Sequence, residues 1–448
     1  MKIKLTEDVS YILGTLIENG YEAYIVGGCV RDSIIKKQLK DWDITTNAKP
    51  DDILRLFEKT IPTGIKHGTV TIVLNKNNYE VTTYRIDGDY SDNRHPDQVI
   101  FTSSLREDLS RRDFTVNALA YNDIDGLVDM FHGIDDLHSS LIKCVGDPDK
   151  RFNEDALRML RAIRFSCQLD FNIEEETYKS ISKNSYLLKN VSSERIRDEF
   201  CKMLLTSKPS RGIKMLLETR LIDYIVPELK ESVGFDQKNP HHDKNVFDHI
   251  MSVLDNSEEN LIVRLGALLH DIGKPRTFTI DKKGIGHFYG HNVVSAQMAE
   301  EILKRLRFDN KTMEKVIIII TEHMTAYNHM KNRTLKKFIS RVGVDNLEDL
   351  FQLQIADSKG HKKDADFSPI IRRREEVKKI LESGEPFTVS QLKINGNDLI
   401  ALGFKPGKYI GTILNELLEK VMEKPELNNR DSLLKIAADE LKKGNEHE

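Results

Sequence analysis

The chain has 448 residues, of which 39% are hydrophobic and 31% charged, and its formal net charge is −4. This composition is typical of a folded protein with several domains and excludes a largely disordered chain. No stretch of about 18 uninterrupted apolar residues occurs and the first residues lack a signal-peptide core, so we expect neither a membrane span nor secretion. The four cysteines lack Cys-x-x-Cys spacing, which favours free thiols in a cytoplasmic protein.

The small negative charge does not exclude a nucleic-acid partner, because phosphate contacts depend on local patches of positive charge. Lysine and arginine cluster at residues 331–337, 359–363 and 372–374. Each cluster taken alone is most simply interpreted as a solvated helix face.

The first elements predict a phosphate-binding turn. An amphipathic helix over residues 5–19 precedes the apolar strand Ala23–Val26, the pair Gly27-Gly28 and the start of a second helix. A glycine pair between a strand and a helix lets backbone N–H groups approach a phosphate closely. Arg31, just inside the helix, can add a bidentate contact. A glycine pair on its own is equally consistent with a tight turn.

Residues 41–45 predict a strand that carries two carboxylates on one face, because Asp41 and Asp43 alternate with Trp42 and Ile44. Two carboxylates this close repel each other unless a cation lies between them. Such ligands, completed by substrate phosphates, are typical of a Mg²⁺ site. An exposed acidic loop is the alternative, but the preceding glycine pair favours a catalytic role.

The segments Thr69–Leu74 and Tyr79–Tyr84 predict two further strands joined as a hairpin. Glu80 on the second strand could lie beside the aspartates as a third carboxylate, although an exposed strand glutamate is the more common case. Residues 87–104 are polar, and we expect a mobile loop near the site.

Residues 111–118, Arg-Arg-Asp-Phe-Thr-Val-Asn-Ala, predict a helix that Asp113 caps and that carries Val116 and Leu119. Adjacent arginines before a helix are often solvated. Here they follow a predicted metal site that needs polyanionic partners, so we favour a contact between Arg112 and a nucleotide.

Residues 154–165 predict a helix with one apolar and one charged face. The charged face suggests an elongated, mostly unpaired guanidinium strip, in which arginine donors beside a carboxylate suit the recognition of base edges. A salt-bridged structural helix is the alternative. A charged helix after Ser192 carries glutamates that could orient these arginines. The residues of the strip are Asp155, Arg158, Arg161 and Arg164.

Five motifs follow one another across the N-terminal half: Gly27-Gly28-x-Val30-Arg31-Asp32 with Asp41-x-Asp43, Arg111-Arg112-Asp113-Phe114-Thr115-x-Asn117-Ala118, Asp125-Gly126, Glu154-Asp155-x-x-Arg158-x-x-Arg161, and Glu194-Arg195-x-x-x-Glu199. In this order and spacing they resemble the class II tRNA nucleotidyltransferases, which are the CCA-adding enzymes, and their relatives the bacterial poly(A) polymerases.

The resemblance implies a role for each residue of these motifs. Asp41 and Asp43 would bind Mg²⁺, Gly28 and Arg31 would hold the triphosphate, and Arg112 would contact the ribose or the phosphates. Asp155 and Arg158 would pair with the Watson–Crick edge of the incoming C or A. Arg161 and Arg164 would support that pocket and the phosphates.

The resemblance also implies an α+β fold, with a polymerase β-like mixed sheet as the head and an all-α remainder. We expect a nucleotidyltransferase head over residues 1–140, a helical neck that recognises the base over 141–235, an HD metal-binding domain over 236–375, and a helical tail that binds tRNA over 376–448.

The middle of the chain predicts a second metal site. His249 lies on an apparent helix, and a further apolar helix leads into His270-Asp271. A lone histidine is more often structural, but further candidates make that interpretation weaker here. The other candidates are His287, His291, His323, Asp357 and His361.

This stretch resembles the HD-superfamily phosphohydrolases. The resemblance implies His249, His270, Asp271 and Asp357 as ligands, with His291 and His323 available for a second metal. Imidazole and carboxylate ligands suit a transition metal or Mg²⁺, so Ni²⁺, Mn²⁺ and Mg²⁺ are the candidates. The domain could also be inactive and serve only to bind RNA.

We therefore expect template-independent addition of CCA to the 3′ end of tRNA from CTP and ATP, with Mg²⁺ as cofactor and pyrophosphate as product. A poly(A) polymerase, or an enzyme restricted to the CC or the A step, is the nearest alternative, because the motifs do not separate these activities. An HD-type phosphohydrolase whose head only senses nucleotide is an alternative of a different class. A non-enzymatic RNA-binding protein is a third, and the intact carboxylates argue against it.

Overall fold

The computed structural model describes residues 2–39, 41–88, 99–238, 244–325, 330–361 and 366–445. Its contacts divide the chain into two compact units. The first comprises Met1–Pro227 with Arg305–Arg307, and the second comprises Glu228–Lys304 with Phe308–Glu448. Among the described residues, no helix combines the length and the apolar character needed to cross a bilayer.

The first unit begins with a mixed sheet, as the sequence predicts. Its seven described strands follow the order β3-β4-β5-β2-β1-β8-β9, and only the pairing of β2 with β5 is parallel. The pairs β6–β7 and β10–β11 lie outside this sheet. The strands are β1 (Ala23–Val26), β2 (Asp43–Thr46), β3 (Thr60–Gly64), β4 (Thr69–Leu74), β5 (Asn77–Thr83), β6 (Arg85–Asp87), β7 (Val99–Phe101), β8 (Leu119–Asn122), β9 (Gly126–Asp129), β10 (Leu141–Ile142) and β11 (Asn172–Ile173).

Helices flank the sheet and then form the rest of the unit. They are α1 (Glu7–Glu18), α2 (Gly28–Ile34), α3 (Pro50–Leu56), α4 (Leu105–Ser110), α5 (Gly133–His138), α6 (Pro148–Glu154), α7 (Leu157–Leu169), α8 (Glu175–Asn184), α9 (Ser193–Leu204) and α10 (Pro209–Glu218). Helix α1 forms where the amphipathic sequence pattern predicts it. The Thr6 hydroxyl caps its N-terminus, and Val9, Ile12 and Leu16 are buried at helical spacing.

The predicted hairpin is confirmed, with β4 antiparallel to β5. Asn75 and Lys76 both have positive φ angles, 51° and 67°, which is the backbone of a two-residue turn that matches the twist of the flanking strands. The loop expected over residues 87–104 is partly wrong, because β6 pairs with β7. Residues 89–98 lie outside the described part of the chain.

The helix predicted after Asp113 is also wrong. Thr115–Asn117 form a single 3-10 turn whose N-cap is Phe114, and Leu119 opens strand β8. Asp113 instead accepts hydrogen bonds from the backbone N–H of Phe114, at 2.9 Å, and from Asn117 Nδ2, at 3.0 Å. These local bonds stabilise a turn in place of a helix.

The second unit is almost entirely helical. A short hairpin of β12 (Thr279–Ile280) and β13 (Gly286–His287) interrupts the helices. The helices are α11 (Val246–Asn256), α12 (Leu261–Leu269), α13 (Lys274–Thr277), α14 (His291–Arg305), α15 (Asn310–Glu322), α16 (Asn332–Val342), α17 (Val344–His361), α18 (Ser368–Ser383), α19 (Gly396–Ala401), α20 (Lys408–Glu423) and α21 (Arg430–Asn445). Helices α11, α12, α15 and α17 pack together. His249 lies on α11, Asp357 and His361 lie on α17, and His270 and His323 directly follow α12 and α15.

The basic cluster at 331–337 lies on α16, which packs against α20. Lys336 is fully buried, and its Nζ donates to the backbone oxygen of Met422 at 3.1 Å and lies 2.6 Å from Glu385 Oε2. Arg333 and Lys337 both pair with Glu419. These three side chains therefore stabilise the packing of α16 against the C-terminal part of the chain. They do not form a free phosphate-binding patch.

Candidate functional site

The candidate catalytic carboxylates lie where β2 begins. Asp43 is the first residue of β2 and is exposed, whereas Asp41 precedes the strand and is also exposed. In the parallel pairing with β5, Asp43 is the register partner of Glu80, which is itself exposed. Ile44 is buried and anchors the strand. The predicted strand therefore begins two residues later than expected, and Asp41 lies just before it and not on one strand face with Asp43.

Three effects act on the pKa of Asp43 in different directions. Desolvation raises the pKa of Asp43, the nearby guanidinium of Arg112 lowers it, and the carboxylate of Asp41 raises it again. The net shift in the pKa is upward, and desolvation is its largest cause. A divalent cation bound at this acidic edge of β2 would favour the charged carboxylate and oppose that shift.

The glycine pair forms the turn between β1 and α2. Gly27 has φ +78°, a left-handed conformation that favours glycine. A Cβ on Gly27 would lie 3.1 Å from Arg112 Nη1, so this guanidinium lies directly over the turn. Gly28 begins α2. The turn, Arg112 and the acidic edge of β2 therefore meet at one place.

The two arginines of this place are held by other side chains. Arg31 is 3% exposed; its Nη1 donates to Asn117 Oδ1 and its Nε donates to Asp32 at 2.8 Å. Arg112 Nη2 lies 3.5 Å from the fully buried carboxylate of Asp108. Asp108 also accepts from Arg111 Nη2 at 2.7 Å, and these arginines lower its pKa against the effect of its burial. Both guanidinium groups are therefore held in position by neighbouring side chains.

The charged strip of residues 154–165 is not the unpaired strip that the sequence suggests. The predicted helix breaks at Asp155, which ends α6 and accepts the N–H of Leu157 at 3.1 Å as α7 begins. Each member has a partner of opposite charge. Asp155 Oδ2 pairs with Arg195 at 2.9 Å, Arg158 with Glu154 at 2.7 Å, Arg161 with Asp113 at 2.7 Å, and Arg164 with Glu199 at 2.5 Å.

Burial and stacking hold the strip further in place. Arg158 and Arg164 are each 8% exposed. The guanidinium carbons of Arg31, Arg161 and Arg164 lie 5.1, 5.3 and 3.9 Å from the centroid of the Phe165 ring, which are cation–π contacts. Glu199 does orient an arginine, as the sequence predicts. Sequence reasoning missed Phe165 as the ring beneath three guanidinium groups, and its only signal was that it departs from the helical pattern.

In the second unit, the structure brings all four predicted HD residues together. His249 Nε2 lies 3.2 Å from Asp271 Oδ2 and 3.0 Å from Asp357 Oδ1. His270 Nε2 lies 3.3 Å from Asp271 Oδ2 and 3.3 Å from His249 Nε2. His249, His270 and Asp271 are buried and could hold one metal ion. Asp357, predicted from little sequence context, lies in this cluster.

A second group shares Asp271. Its Oδ1 lies 3.3 Å from His291 Nε2 and 3.9 Å from His323 Nε2, and these three residues could hold another ion. Asp271 therefore presents one oxygen to each group, as a bridging carboxylate does. His287, another sequence candidate, lies apart from the cluster and pairs with Asp281.

Backbone carbonyls set the orientation of the imidazoles. The Nδ1–H groups of His270, His291 and His323 donate to the carbonyl oxygens of Ala267, Phe288 and Ile320, at 2.9, 2.7 and 2.6 Å. Each ring therefore points Nε2 toward the cluster. This arrangement of outer hydrogen bonds is typical of histidines that bind metals.

Two further residues lie near this centre: Lys274, which was not predicted from the sequence, and His361, which was one of the sequence candidates. Lys274, which is 5% exposed, places Nζ 2.7 Å from Asp271 Oδ2. His361 stacks on His249, with ring centroids 4.3 Å apart, and its Nε2 lies 3.4 Å from Asp357 Oδ1. The spacing of Lys274, three residues after Asp271 and past the end of a helix, is the signal that could have identified it.

Comparisons with known proteins agree with this organisation. Family models match at residues 23–143 (Poly A polymerase head domain), 170–232 (probable RNA and SrmB-binding site of polymerase A) and 241–360 (HD domain). A crystal structure of the Bacillus stearothermophilus CCA-adding enzyme in complex with CTP is similar, with a TM-score of 0.73, 26% identity and coverage of 98% of each chain.

Curated relatives extend the similarity over the whole chain. The CCA-adding enzyme of Limosilactobacillus reuteri (strain DSM 20016) is 36% identical over 99% of this chain and 100% of its own. That of Ligilactobacillus salivarius (strain UCC118) is 34% identical over 95% and 94% of the two chains. With relatives this similar along nearly their entire length, the chain belongs to the family of the CCA-adding enzymes, the tRNA nucleotidyltransferases.

Proposed function

We propose that Asp41 and Asp43 are the catalytic carboxylates of this tRNA nucleotidyltransferase, and that its substrates are CTP, ATP and a tRNA 3′ end. The observation that carries the proposal is the convergence of an acidic strand edge, a glycine turn and the Arg112 guanidinium at one place. The Bacillus stearothermophilus enzyme, similar to this chain along its whole length, was solved with CTP bound, which supports the choice of nucleotide.

The donor set at this edge fits Mg²⁺. Asp41 and Asp43 offer exposed oxygens, and their mutual repulsion is one of the causes that raise the pKa of Asp43. Mg²⁺ prefers such oxygen ligands together with phosphates. When bound, the ion supplies electrostatic stabilisation to the attacking 3′-hydroxyl and to the leaving pyrophosphate. Glu80, opposite Asp43 in the register, is available as a third carboxylate.

The residues around the edge would position the triphosphate. Gly28 begins α2, so the first N–H groups of that helix are free of helical partners and face the turn. Arg112 lies over the turn, and Arg31 is fixed behind it through Asn117. We assign both arginines to the nucleotide, because preorganised donors bind an anion without the cost of ordering them.

Base selection is assigned to Asp155 and Arg158, with Arg161 and Arg164 as their support. In the structure Asp155 accepts from Arg195 and Arg158 donates to Glu154. An incoming C or A would replace part of these contacts with its Watson–Crick edge, and a wrong base would leave a buried donor or acceptor unpaired. Arg161 and Arg164 keep their partners Asp113 and Glu199 in this proposal.

We further propose a division of labour along the chain. Residues 1–140 would perform the transfer, 141–235 would select the base, 236–375 would form the HD metal domain, and 376–448 would bind tRNA.

One assay tests the transfer proposal. The protein is incubated with tRNA that lacks its terminal CCA, with CTP, ATP and Mg²⁺, and the added nucleotides are counted on a sequencing gel. Three additions in the order C, C, A are expected. A long A tail would indicate a poly(A) polymerase, and a stop after CC or a requirement for CC-ended tRNA would indicate an enzyme restricted to one step. Asp41→Ala is the matched control and should add nothing.

A second function is favoured by the HD cluster, whose buried histidines and bridging Asp271 fit one or two divalent metals. We propose that this centre hydrolyses phosphoesters. Bound Ni²⁺, Mn²⁺ or Mg²⁺ supplies electrophilic activation of water and phosphate, and Lys274 would add positive charge beside Asp271. The test measures release of nitrophenol from bis(p-nitrophenyl) phosphate with each metal. Activity should disappear in Asp271→Ala and persist in Asp41→Ala.

A further inference from the structure

A hairpin in the second unit connects the HD cluster to an exposed aromatic surface. After β13, the side chains of consecutive residues alternate, with Phe288 half-buried and Tyr289 77% exposed. The rings of His287 and Tyr289 are stacked, with centroids 5.3 Å apart and planes inclined by only 10°. Together they form a stack of two rings on the hairpin, in which Tyr289 is the more exposed member, and we call them the ring pair.

Hydrogen bonds fix the orientation of the ring pair. His287 Nε2 lies 3.1 Å from Asp281 Oδ2. Asp281 Oδ1 also accepts the backbone N–H groups of Lys283 and Ile285, at 2.8 and 2.9 Å. The imidazole is thus held by a carboxylate that the turn of the same hairpin holds in place. A surface fixed in this way loses little conformational entropy when a ligand stacks on it.

The hairpin is joined directly to the metal ligands. The carbonyl oxygen of Phe288 accepts the Nδ1–H of His291 at 2.7 Å, and the Phe288 ring lies 5.4 Å from Lys274 Nζ. Tyr289 is only two residues from His291, so their Cα atoms are at most about 7 Å apart. That span is short enough for a base on the ring pair to belong to the nucleotide whose phosphate lies at the centre, or to its neighbour.

Close contacts of Gly286 also hold strand β13 of the hairpin in place. The Gly286 N–H donates to the carbonyl oxygen of Lys238 at 2.8 Å, and a Cβ on Gly286 would meet the carbonyl oxygen of Gln237 at 2.2 Å. Gln237 Oε1 in turn accepts from Lys274 at 3.1 Å. The ring pair and the HD cluster are therefore parts of one packed structure.

The chemistry of this surface points to a nucleobase. Exposed aromatic rings beside positive charge are the features by which proteins bind single-stranded nucleic acid, because every base has a face that can stack. The turn of the hairpin carries two exposed lysines, Lys282 and Lys283, which suit a phosphate backbone. We propose that His287 and Tyr289 form a stacking platform for the nucleobase of the phosphoester that the HD centre hydrolyses, whether that ester is a free nucleotide or an RNA end. This inference rests on the hydrolase function proposed above.

Crosslinking tests the platform without requiring hydrolysis. A short oligouridylate with a 3′-phosphate and a terminal 5-iodouridine is irradiated with the full-length, Mn²⁺-loaded protein, and the crosslinked peptide is mapped by mass spectrometry. We expect a crosslink within residues 287–289 that Tyr289→Ala abolishes. Ile280→Ala, on the same hairpin and 51% exposed, should leave it intact. Absence of any crosslink in 287–289 would overturn the proposal.

Hydrolysis provides the second measurement and separates the two proposals. Tyr289→Ala should lower kcat/KM for uridine 3′-phosphate and for the oligomer by about tenfold, mainly through KM, because one base stack is lost. Tyr289→Phe should restore both values of kcat/KM. Tyr289→Ala should not change kcat/KM for an oligomer whose last residue is abasic. Equal losses with and without the base would contradict the platform. A crosslink with no hydrolysis of any ester would instead contradict the hydrolase and leave a nucleotide-binding surface. If added salt lowers kcat/KM for the oligomer but not for uridine 3′-phosphate, an RNA end is the preferred substrate.

Discussion

Arg161 donates two hydrogen bonds to one carboxylate oxygen of Asp113, from Nε at 2.9 Å and from Nη2 at 2.7 Å. Asp113 also accepts from Asn117, whose side-chain oxygen accepts from Arg31. A continuous chain of side chains therefore links the proposed base-selecting helix to the turn that would hold the triphosphate.

Removing Asp113 should loosen both ends of this chain. In Asp113→Ala, Arg161 loses the two hydrogen bonds to its nearer carboxylate partner and keeps the longer contact with Glu199, at 3.9 Å, while it remains partly buried. We expect a loss of about 2–4 kcal/mol in the free energy of unfolding, less than for a fully buried pair because Arg161 is one-third exposed. KM for CTP should rise, because Arg31 loses its support through Asn117. Urea denaturation and steady-state kinetics measure the two effects. Asp170→Asn removes only the charge of an exposed carboxylate and keeps a residue type that tolerates the φ of +58° there, so it should change stability by less than about 1 kcal/mol and leave KM unchanged.

The same ion pair predicts a pH dependence of stability. Arg161 and hydrogen bonds outweigh desolvation and lower the pKa of Asp113 to about 2, below its value in the unfolded chain. The pair therefore contributes fully above about pH 4 and is lost as the pH falls toward 2. The stability difference between the wild type and Asp113→Asn should be constant from pH 7 to 5 and shrink below pH 4. A difference that stays constant down to pH 3 would show that Asp113 does not carry the charge we assign to it.

Asp155 should control the choice of nucleotide more than the rate. Because a good pair of hydrogen bonds to a base edge contributes about 1–3 kcal/mol, Asp155→Ala should reduce discrimination between CTP and UTP by roughly 5- to 150-fold. Competition between labelled nucleotides measures this ratio. Asp198→Ala, on the exposed side of α9, is the control. Unchanged selectivity in Asp155→Ala would mean that its bond to Arg195 is purely structural.

Metal binding at the HD cluster should be visible as stabilisation. A ligand present at 100 times its dissociation constant stabilises the folded state by about 2.7 kcal/mol. Ni²⁺ should therefore raise the melting temperature of the wild type and of Asp41→Ala equally, and should have little effect on Asp271→Ala. Calorimetry with and without a chelator measures the shift. An equal rise in Asp271→Ala would place the ion elsewhere.

The local sequence was sufficient to predict the elements that carry their own signals. The glycine turn, the strand after Asp43 and the histidine before Asp271 each follow from residue type and short-range spacing. The partner of Arg161 did not, because Asp113 lies 48 residues away. Glu199, which lies 35 residues from Arg164, was predicted only as a glutamate that could orient the arginines in general. An arginine that looks unpaired along its own helix can therefore be fully paired in the fold.

The segment after Asp113 failed for a different reason. Phe114, Val116, Ala118 and Leu119 are all completely buried, so their apolar character carries no period that would separate a helix from a turn and a strand. The choice depends on the bonds of the Asp113 side chain and on pairing with β1, which is distant in the sequence. Local propensity cannot supply that information.

The register of Asp43 against Glu80 allows the third carboxylate to be tested. If Glu80 contributes to the same ion, Glu80→Gln should slow nucleotide addition by about tenfold at low Mg²⁺ and recover at high Mg²⁺, because a weakened site fills at higher concentration. Thr71 lies opposite Glu80 on the other neighbouring strand, so Thr71→Ala serves as a control for the packing of β5. The same Mg²⁺ dependence of the rate in Glu80→Gln as in the wild type would remove this residue from the site.

The proposed transfer reaction depends on Asp41 and Asp43 binding a divalent ion together with the nucleotide. The most direct measurement is the anomalous scattering of a crystal soaked with CTP and Mn²⁺ as a substitute for Mg²⁺. We predict a peak within coordination distance of a carboxylate oxygen of each aspartate and of the triphosphate. We also predict that Asp43→Ala loses this peak together with about a thousandfold or more of the transfer rate. A fully occupied triphosphate with no peak at these two carboxylates would contradict the account.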